Sequence, residues 1–194
     1  MEIAVRPALP RDREEIVAIY NHYVASTAAT FEVVPATAEA RASWFAEHSP
    51  LGPHQLWVGT DLRSTVRGWA SSSPFRPRAA YSTTVESSVY CRTDSLGMGV
   101  GSRLYSALFR ALRAYDIERV VAGVTLPNPS SVALHRQFGF RWVGTFTRVG
   151  RKFGRYWDVA WFERGARTAP AGATEVESLS RRRRAREREA STPG

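Results

Sequence analysis

Gly97, Gly99 and Gly101 stand at alternate positions in the stretch "DSLGMGVGSRLYSALFRAL", directly ahead of a run whose leucines recur every fourth residue. Three glycines in five residues weaken any regular element, so a backbone this bare serves a ligand, a tight turn or a close packing contact. Set between a strand and a helix, the loop would gather free backbone N–H groups at the positive end of a helix dipole, which suits phosphate. The dinucleotide fingerprint G-x-G-x-x-G after a first strand and the triphosphatase pattern G-x-x-x-x-G-K-[ST] are both missing. Upstream, in "YSTTVESSVYC", Val85, Val89 and Cys91 share one strand face while Thr84, Glu86, Ser88 and Tyr90 share the other. A carboxylate therefore sits mid-strand, turned away from the valines. Cys91 alternates with those valines, the place of a packed free thiol rather than a nucleophile. Downstream, His135 follows Asn128 and Pro129 in a helix, where a lone histidine is either packing or a titrating group. Arg76 and Arg78 flank Pro77 and offer planar guanidinium forks to acid groups.

The elements that must position these residues alternate in period. "IAVRPA" reads as a first strand and "DREEIVAIYNHYV" as an amphipathic helix with Ile16, Ile19 and Tyr20 on one side. A second helix is predicted over "TAEARASWFAEH", then strands over "QLWVGT" and "VRGWASSSPF" joined by the turn "DLRST". The glycine loop follows the fourth strand. Leu104, Leu108, Leu112 and Tyr115 repeat at helical spacing, and "RVVAGV" from Arg119 is short and continuously apolar, like a buried strand. Asn128 and Pro129 read as N-cap and first-turn proline of a helix ending near Phe138, with Gly139 as its stop. Strands at about Trp142 to Val149 and Tyr156 to Phe162 flank the turn "GRKFGR". The class is mixed α/β with short connections and no internal repeat.

A chain of 194 residues, 43% hydrophobic with six tryptophans, carries enough apolar surface for one domain. Its net charge of +9 is almost wholly arginine, Lys152 being the only lysine. Part of that charge falls in "RTAPAGATEVESLSRRRRAREREASTPG" from Arg167, which lacks the apolar residues to offset ordering and reads as a disordered tail after a domain spanning residues 1–166. No aromatic residue interleaves with the tail arginines, so nucleic acid is not an expected partner. One cysteine excludes a disulfide framework or a multi-cysteine metal site and fits a reducing cytoplasm; no metal site is legible. There is no apolar signal core and no run of eighteen apolar residues, so no membrane association is expected.

Seven ordered pieces, "YNHYV", "ATFE", "PFRPRAAY", "TVESSVY", "GMGVGSRLY", "LPNPSSVALHRQFGF" and "GRKFGRYWDV", resemble the GNAT superfamily of N-acetyltransferases, in particular the phosphinothricin and methionine sulfoximine N-acetyltransferases. The resemblance covers nearly all of residues 1–166. It implies the GNAT fold, a mostly antiparallel sheet flanked by helices and splayed between strands four and five, with acetyl-CoA as donor and a homodimer. It assigns the CoA pyrophosphate to the segment Gly97, Met98, Gly99, Val100, Gly101 and Ser102, with a helix from Gly101 supplying the dipole. Leu96 stands where the family's motif usually opens with Gln or Arg. Val89, Tyr90 and Cys91 match the strand that pairs with the acetyl-bearing arm, and Asn128 matches a cofactor contact.

An amine attacks a thioester only when neutral, so an ammonium acceptor must lose a proton to a base. The resemblance makes Glu86 that base and His135, where many members carry tyrosine, the general acid. It makes Phe31 an aromatic wall of the acceptor pocket, Arg76, Pro77 and Arg78 its acid-binding loop, and Glu86, Ser87 and Ser88 its strand contacts; Ser87 stands where the commoner family form has histidine. The expected acceptor is a small amino acid or analogue of the phosphinothricin or methionine sulfoximine type. A polyamine or protein N-terminus is the alternative acceptor, though arginines in the acceptor loop argue against a cation. A nucleic-acid-binding module with a vestigial acetyl-CoA site is the alternative outside the enzymes.

Overall fold

The computed structural model of the protein describes residues 2–168. Strands β1 (Ala4–Pro7), β2 (Leu56–Thr60), β3 (Val66–Pro74), β4 (Thr84–Cys91), β5 (Arg119–Leu126), β6 (Arg141–Lys152) and β7 (Arg155–Gly165) form one sheet in the order β1-β2-β3-β4-β5-β7-β6. Neighbours are antiparallel except β4 and β5. Helices α1 (Arg13–Ser26), α2 (Ala42–Ala46), α3 (Val100–Leu112) and α4 (Pro129–Gln137) cover the sheet, giving the mixed α/β class expected from the sequence.

Each face of the sheet has its own core. The leucine stripe of α3 buries Leu104, Leu108 and Leu112 against Val85, Val120 and Phe162. On the other face Ile16 and Ile19 of α1 pack on Leu56, Val58 and Trp69. Complete burial of such a side chain contributes about 1.5–3 kcal/mol. The continuous apolar run "RVVAGV" reads as a buried strand, but only one face of β5 is covered: Val120, Ala122 and Val124 are buried, while Val121 is half-buried and Gly123 exposed.

β4 and β5 pair only over Thr84↔Arg119, Val85↔Val120 and Glu86↔Val121. Beyond Glu86 the two strands part, so residues 87–91 keep β3 as their sheet neighbour and leave the edge facing β5 open. This is the splay the family resemblance implies, and Glu86 marks its fork.

Two predicted elements differ in extent. The helix expected over residues 37–48 shrinks to the single turn of α2; ahead of it Thr37 caps a turn, accepting from the Ala40 amide at its hydroxyl and from the Arg41 amide at its carbonyl, both at 3.2 Å. Conversely, β6 and β7 run through most of "GRKFGR", leaving only Phe153 and Gly154 as the turn, both at positive φ as a two-residue hairpin requires. Within β6 a bulge places Arg148 at φ 53°, and its amide donates to Asp158 Oδ1 at 2.7 Å, so Asp158 holds the bulge. α3 begins at Val100, one residue earlier than expected.

The segment after α1 is fastened to this hairpin. Lys152 is buried, and its Nζ donates to the carbonyls of Thr30 at 2.9 Å and Tyr23 at 3.4 Å. Desolvation holds its pKa below the usual ammonium value. The Phe31 ring lies on Gly150, where a Cβ would come within 2.3 Å of it. The predicted arginine-rich tail, beyond its first two positions, lies outside the described residues.

Candidate active site

The open edge of β4, the glycine loop, the start of α3, the end of β5 and α4 enclose a cleft of about 530 Å³. Val89, Tyr90, Cys91, Gly97, Gly99, Val100, Gly101, Ser102 and Asn128, nine of the ten residues expected at the cofactor, line it, as do Ser87, Ser88 and His135. Met98 is exposed and lies outside the lining.

The three glycines divide their work. Gly97 and Gly99 adopt φ of 75° and 77°, the left-handed region where an L side chain is strained, and a Cβ on either would meet no atom within 4 Å. Gly101 is ordinary helix backbone, but a Cβ there would press to 3.2 Å from Leu134 Cδ2, so this glycine lets α3 approach α4. Gly99 is the N-cap of α3, whose first amides have no helical acceptor. Backbone donors, a positive helix end and unobstructed space above two glycines fit a pyrophosphate.

Asn128 caps α4 by accepting from the Ser131 amide at 3.1 Å while lining the cleft, so both expected roles are open to it. Burial pushes the Cys91 thiol up to about 11, opposed in part by the Gly101 amide, and an uncharged packed thiol is no nucleophile at neutral pH.

Glu86 is half-buried at the fork, opposite Ser73 of β3. Desolvation raises its pKa above the ordinary carboxylate value, and the positive charge of Arg76 pulls it partly back. A carboxylate so tuned retains a proton more readily, as a general base for an ammonium should.

On the α3 side of the sheet, His135 is 3% exposed, and its Nδ1 lies 2.7 Å from the Ser131 carbonyl. A carbonyl only accepts, so Nδ1 carries the proton and Nε2 accepts from the Tyr105 hydroxyl at 3.1 Å. The Tyr105 hydroxyl in turn lies 3.5 Å from Ser87 Oγ, and all three residues line the cleft. Burial lowers the His135 pKa, favouring the neutral ring, opposed in part by the Ser131 carbonyl. In this arrangement Nε2 accepts, so the general-acid role expected for His135 would require a proton at that nitrogen. Tyr105 carries no signal of its own in the sequence: it sits beside Leu104 in a stripe that reads as packing.

The acceptor-loop residues are more dispersed. Arg76, Pro77 and Arg78 are exposed and line neither this cleft nor a smaller cavity beneath α1 and α2. Arg76 lies over the Phe75 ring at 4.3 Å and donates to the Phe75 carbonyl at 2.8 Å, with its charge still felt at Glu86. Phe31 sits against β6, outside the cleft lining. Among the described residues no group of three or more His, Cys, Asp or Glu side chains could hold a metal ion, and no helix is long and apolar enough to cross a membrane.

Residues 5–161 match the family described as acetyltransferase (GNAT) domain. The chain belongs to the GNAT acetyltransferases. It is 49% identical over 164 residues to a phosphinothricin N-acetyltransferase of Streptomyces coelicolor, covering 84% of this chain and 96% of that one. It is 36% identical over 163 residues to an L-methionine sulfoximine/L-methionine sulfone acetyltransferase of Pseudomonas aeruginosa, covering 84% and 94%. Among solved structures, a GNAT phosphinothricin acetyltransferase from Sinorhizobium meliloti in complex with AcCoA superposes with a TM-score of 0.81 at 32% identity, over 89% of this chain and 95% of that one. The splayed sheet and its glycine-lined cleft are thus those of an acetyl-CoA-dependent GNAT enzyme.

Proposed function

We propose that the protein transfers the acetyl group of acetyl-CoA to the amino group of a small amino acid or amino-acid analogue of the phosphinothricin or methionine sulfoximine type, with Glu86 as general base. The observation that carries this reading is the position of Glu86, a half-buried carboxylate at the point where β4 and β5 separate. Acetyl-CoA supplies the activated thioester when bound. The loop Gly97–Gly99 and the first amides of α3 hold its phosphates, and the open edge of β4 from Val89 to Cys91 receives its acetyl-bearing arm. Glu86 takes the ammonium proton, which lets the nitrogen attack the thioester carbonyl; the C–N bond forms, the C–S bond breaks, the thiolate leaves with the electron pair, and the second proton of the attacking nitrogen passes to that thiolate, leaving a neutral amide and the CoA thiol. Arg76, whose charge reaches Glu86, and Arg78, both exposed, offer guanidinium forks to the acceptor's α-carboxylate. His135 acts as a positioning residue, holding the Tyr105 hydroxyl beside Ser87 at the cleft wall.

The test is CoA release by wild type and Glu86→Gln over free amino acids, phosphinothricin, methionine sulfoximine, polyamines and peptides. Loss of a general base costs about 10²–10⁴ in turnover, so Glu86→Gln should fall by that factor while still gaining thermal stability from acetyl-CoA. Near wild-type turnover in Glu86→Gln would falsify the base assignment, and a preference for polyamines or peptides would overturn the acceptor class.

A homodimer fits the outer edge of the sheet. β6 exposes Trp142, Val143, Phe146 and Val149 along an unpaired edge, beside exposed Phe153 and Tyr156. Such an apolar edge is ordinarily covered. Light scattering on the purified chain decides it, a monomer at micromolar concentration being the contrary result.

A further inference from the structure

The open edge of β4 ends at a tyrosine from another element. Gly68 and Cys91 face each other across β3 and β4, and the next amide along, that of Arg92, donates to the Arg67 carbonyl at 2.9 Å. In a trans peptide the carbonyl points opposite to the N–H that follows it, so the Cys91 carbonyl turns away from β3, into the space that β5 has left. Bonded and non-bonded pairs alternate along an antiparallel ladder, so Val89, opposite Ala70, turns its N–H and carbonyl to the same side. Glu86 is the last residue of β4 that pairs with β5. The free edge therefore runs from Glu86 to Cys91, and a neighbouring strand anchors it at the Glu86 end only.

At the other end the Tyr23 hydroxyl, from α1, donates to the Cys91 carbonyl at 2.6 Å. It supplies from a helix the hydrogen bond that a strand would have given. Tyr23 lines the cleft together with Val89, Tyr90 and Cys91, and its ring meets that of Tyr90 edge to face at 5.1 Å. Burial pushes the Tyr23 pKa up, so the hydroxyl keeps its proton and remains a donor at neutral pH. Cys91 also leads directly into the turn before Gly97, so this one contact fixes both the end of the edge and the approach to the glycine loop. Without it the strand end would have to be ordered as a ligand binds, a cost that is subtracted from affinity.

We infer that Tyr23 is a positioning residue for the acetyl donor: by holding the Cys91 carbonyl, its hydroxyl sets the open edge of β4 in its binding shape before acetyl-CoA arrives. The inference rests on the reading that this edge receives the acetyl-bearing arm. Tyr20 provides the comparison within the same helix. Its hydroxyl shares a hydrogen bond with Thr30 Oγ1 at 2.6 Å and bonds no atom of β4 among the described residues.

Tyr23→Phe removes one oxygen and keeps the ring, so it tests the hydroxyl alone. Titration calorimetry gives the Kd of acetyl-CoA, and CoA release gives the KM of the best acceptor, both at a temperature where circular dichroism shows every variant folded. Tyr23→Phe should raise the acetyl-CoA Kd about three- to tenfold, the scale of one hydrogen bond, and leave the acceptor's KM unchanged. Tyr20→Phe should leave that Kd where it is. An unchanged Kd in Tyr23→Phe, an equal rise in Tyr20→Phe, or a parallel rise in the acceptor's KM overturns the inference. Gly99→Val separates it from the reading beneath it: a Kd raised by Gly99→Val and not by Tyr23→Phe rejects the role of Tyr23 alone, and a Kd raised by neither rejects the cleft as the donor's site.

Discussion

The Tyr105 hydroxyl donates to Nε2 of His135 at 3.1 Å, inside a shell formed by Phe109, Phe138 and Phe140. Because Nδ1 is committed to the Ser131 carbonyl, the imidazole is an acceptor toward the cleft. Burial lowers the His135 pKa, so at neutral and alkaline pH the ring adds no limb to the pH profile. His135→Ala should therefore lower kcat from neutral to alkaline pH and leave the shape of the profile there unchanged; disappearance of an alkaline limb would show instead that the imidazolium donates a proton. Tyr105→Phe strands a buried Nε2 without its donor and should cost about 1–3 kcal/mol in chemical denaturation.

The sign of the pH dependence follows from Glu86. It works ionised, and burial raises its pKa, so kcat/KM should fall as pH drops through a limb lying above the ordinary carboxylate range. Arg76 opposes that shift. Arg76→Leu should therefore move the acid limb to higher pH, measured with an acceptor lacking a free carboxylate so that binding does not change as well. A limb that stays put would place Arg76 too far from Glu86 to act on it.

The glycines can be told apart by calorimetry with and without acetyl-CoA. Gly101→Val drives a side chain toward Leu134 and should destabilise the unliganded protein by about 1–3 kcal/mol, the usual cost of overpacking. Gly99→Val meets no neighbouring atom, so its cost is the left-handed backbone alone, about 1–2 kcal/mol, but its side chain would stand where the phosphates bind. Gly99→Val should abolish most of the acetyl-CoA stabilisation, and Gly101→Val should retain more of it.

Gly150→Ala addresses the segment after α1. The added methyl displaces the Phe31 ring, which is 37% exposed and free to swing outward, so stability should fall by about 1 kcal/mol or less. If Phe31 shapes the acceptor entrance, the acceptor's KM rises while that of acetyl-CoA holds. Equal changes in both would assign Phe31 to the fold alone.

Features that depend on neighbours within a few residues are legible in the sequence. Alternation places Glu86 opposite the valines, Asn128 and Pro129 announce α4, and the glycines announce a phosphate-type loop. Relations set by long-range pairing are not legible there. The serines of β3 look merely polar until the register shows Ser71 and Ser73 facing Ser88 and Glu86, while Ser72 turns away to bond the Pro53 carbonyl. Tyr105 is indistinguishable from core until His135 arrives from thirty residues downstream. The length of β6 depends on Phe153 adopting positive φ, which nothing in its side chain foretells.

Lys152 anchors the segment after α1 from a buried position, and every other basic side chain that carries a fixed charge is arginine. An enzyme that keeps an activated thioester at hand faces a chemical hazard, since any neutral surface amine can be acylated by it. Guanidinium stays protonated and unreactive under those conditions. The one ε-amine here is shut away among the carbonyls of Thr30 and Tyr23, so the charge that keeps the surface positive is carried by a group its own substrate cannot modify.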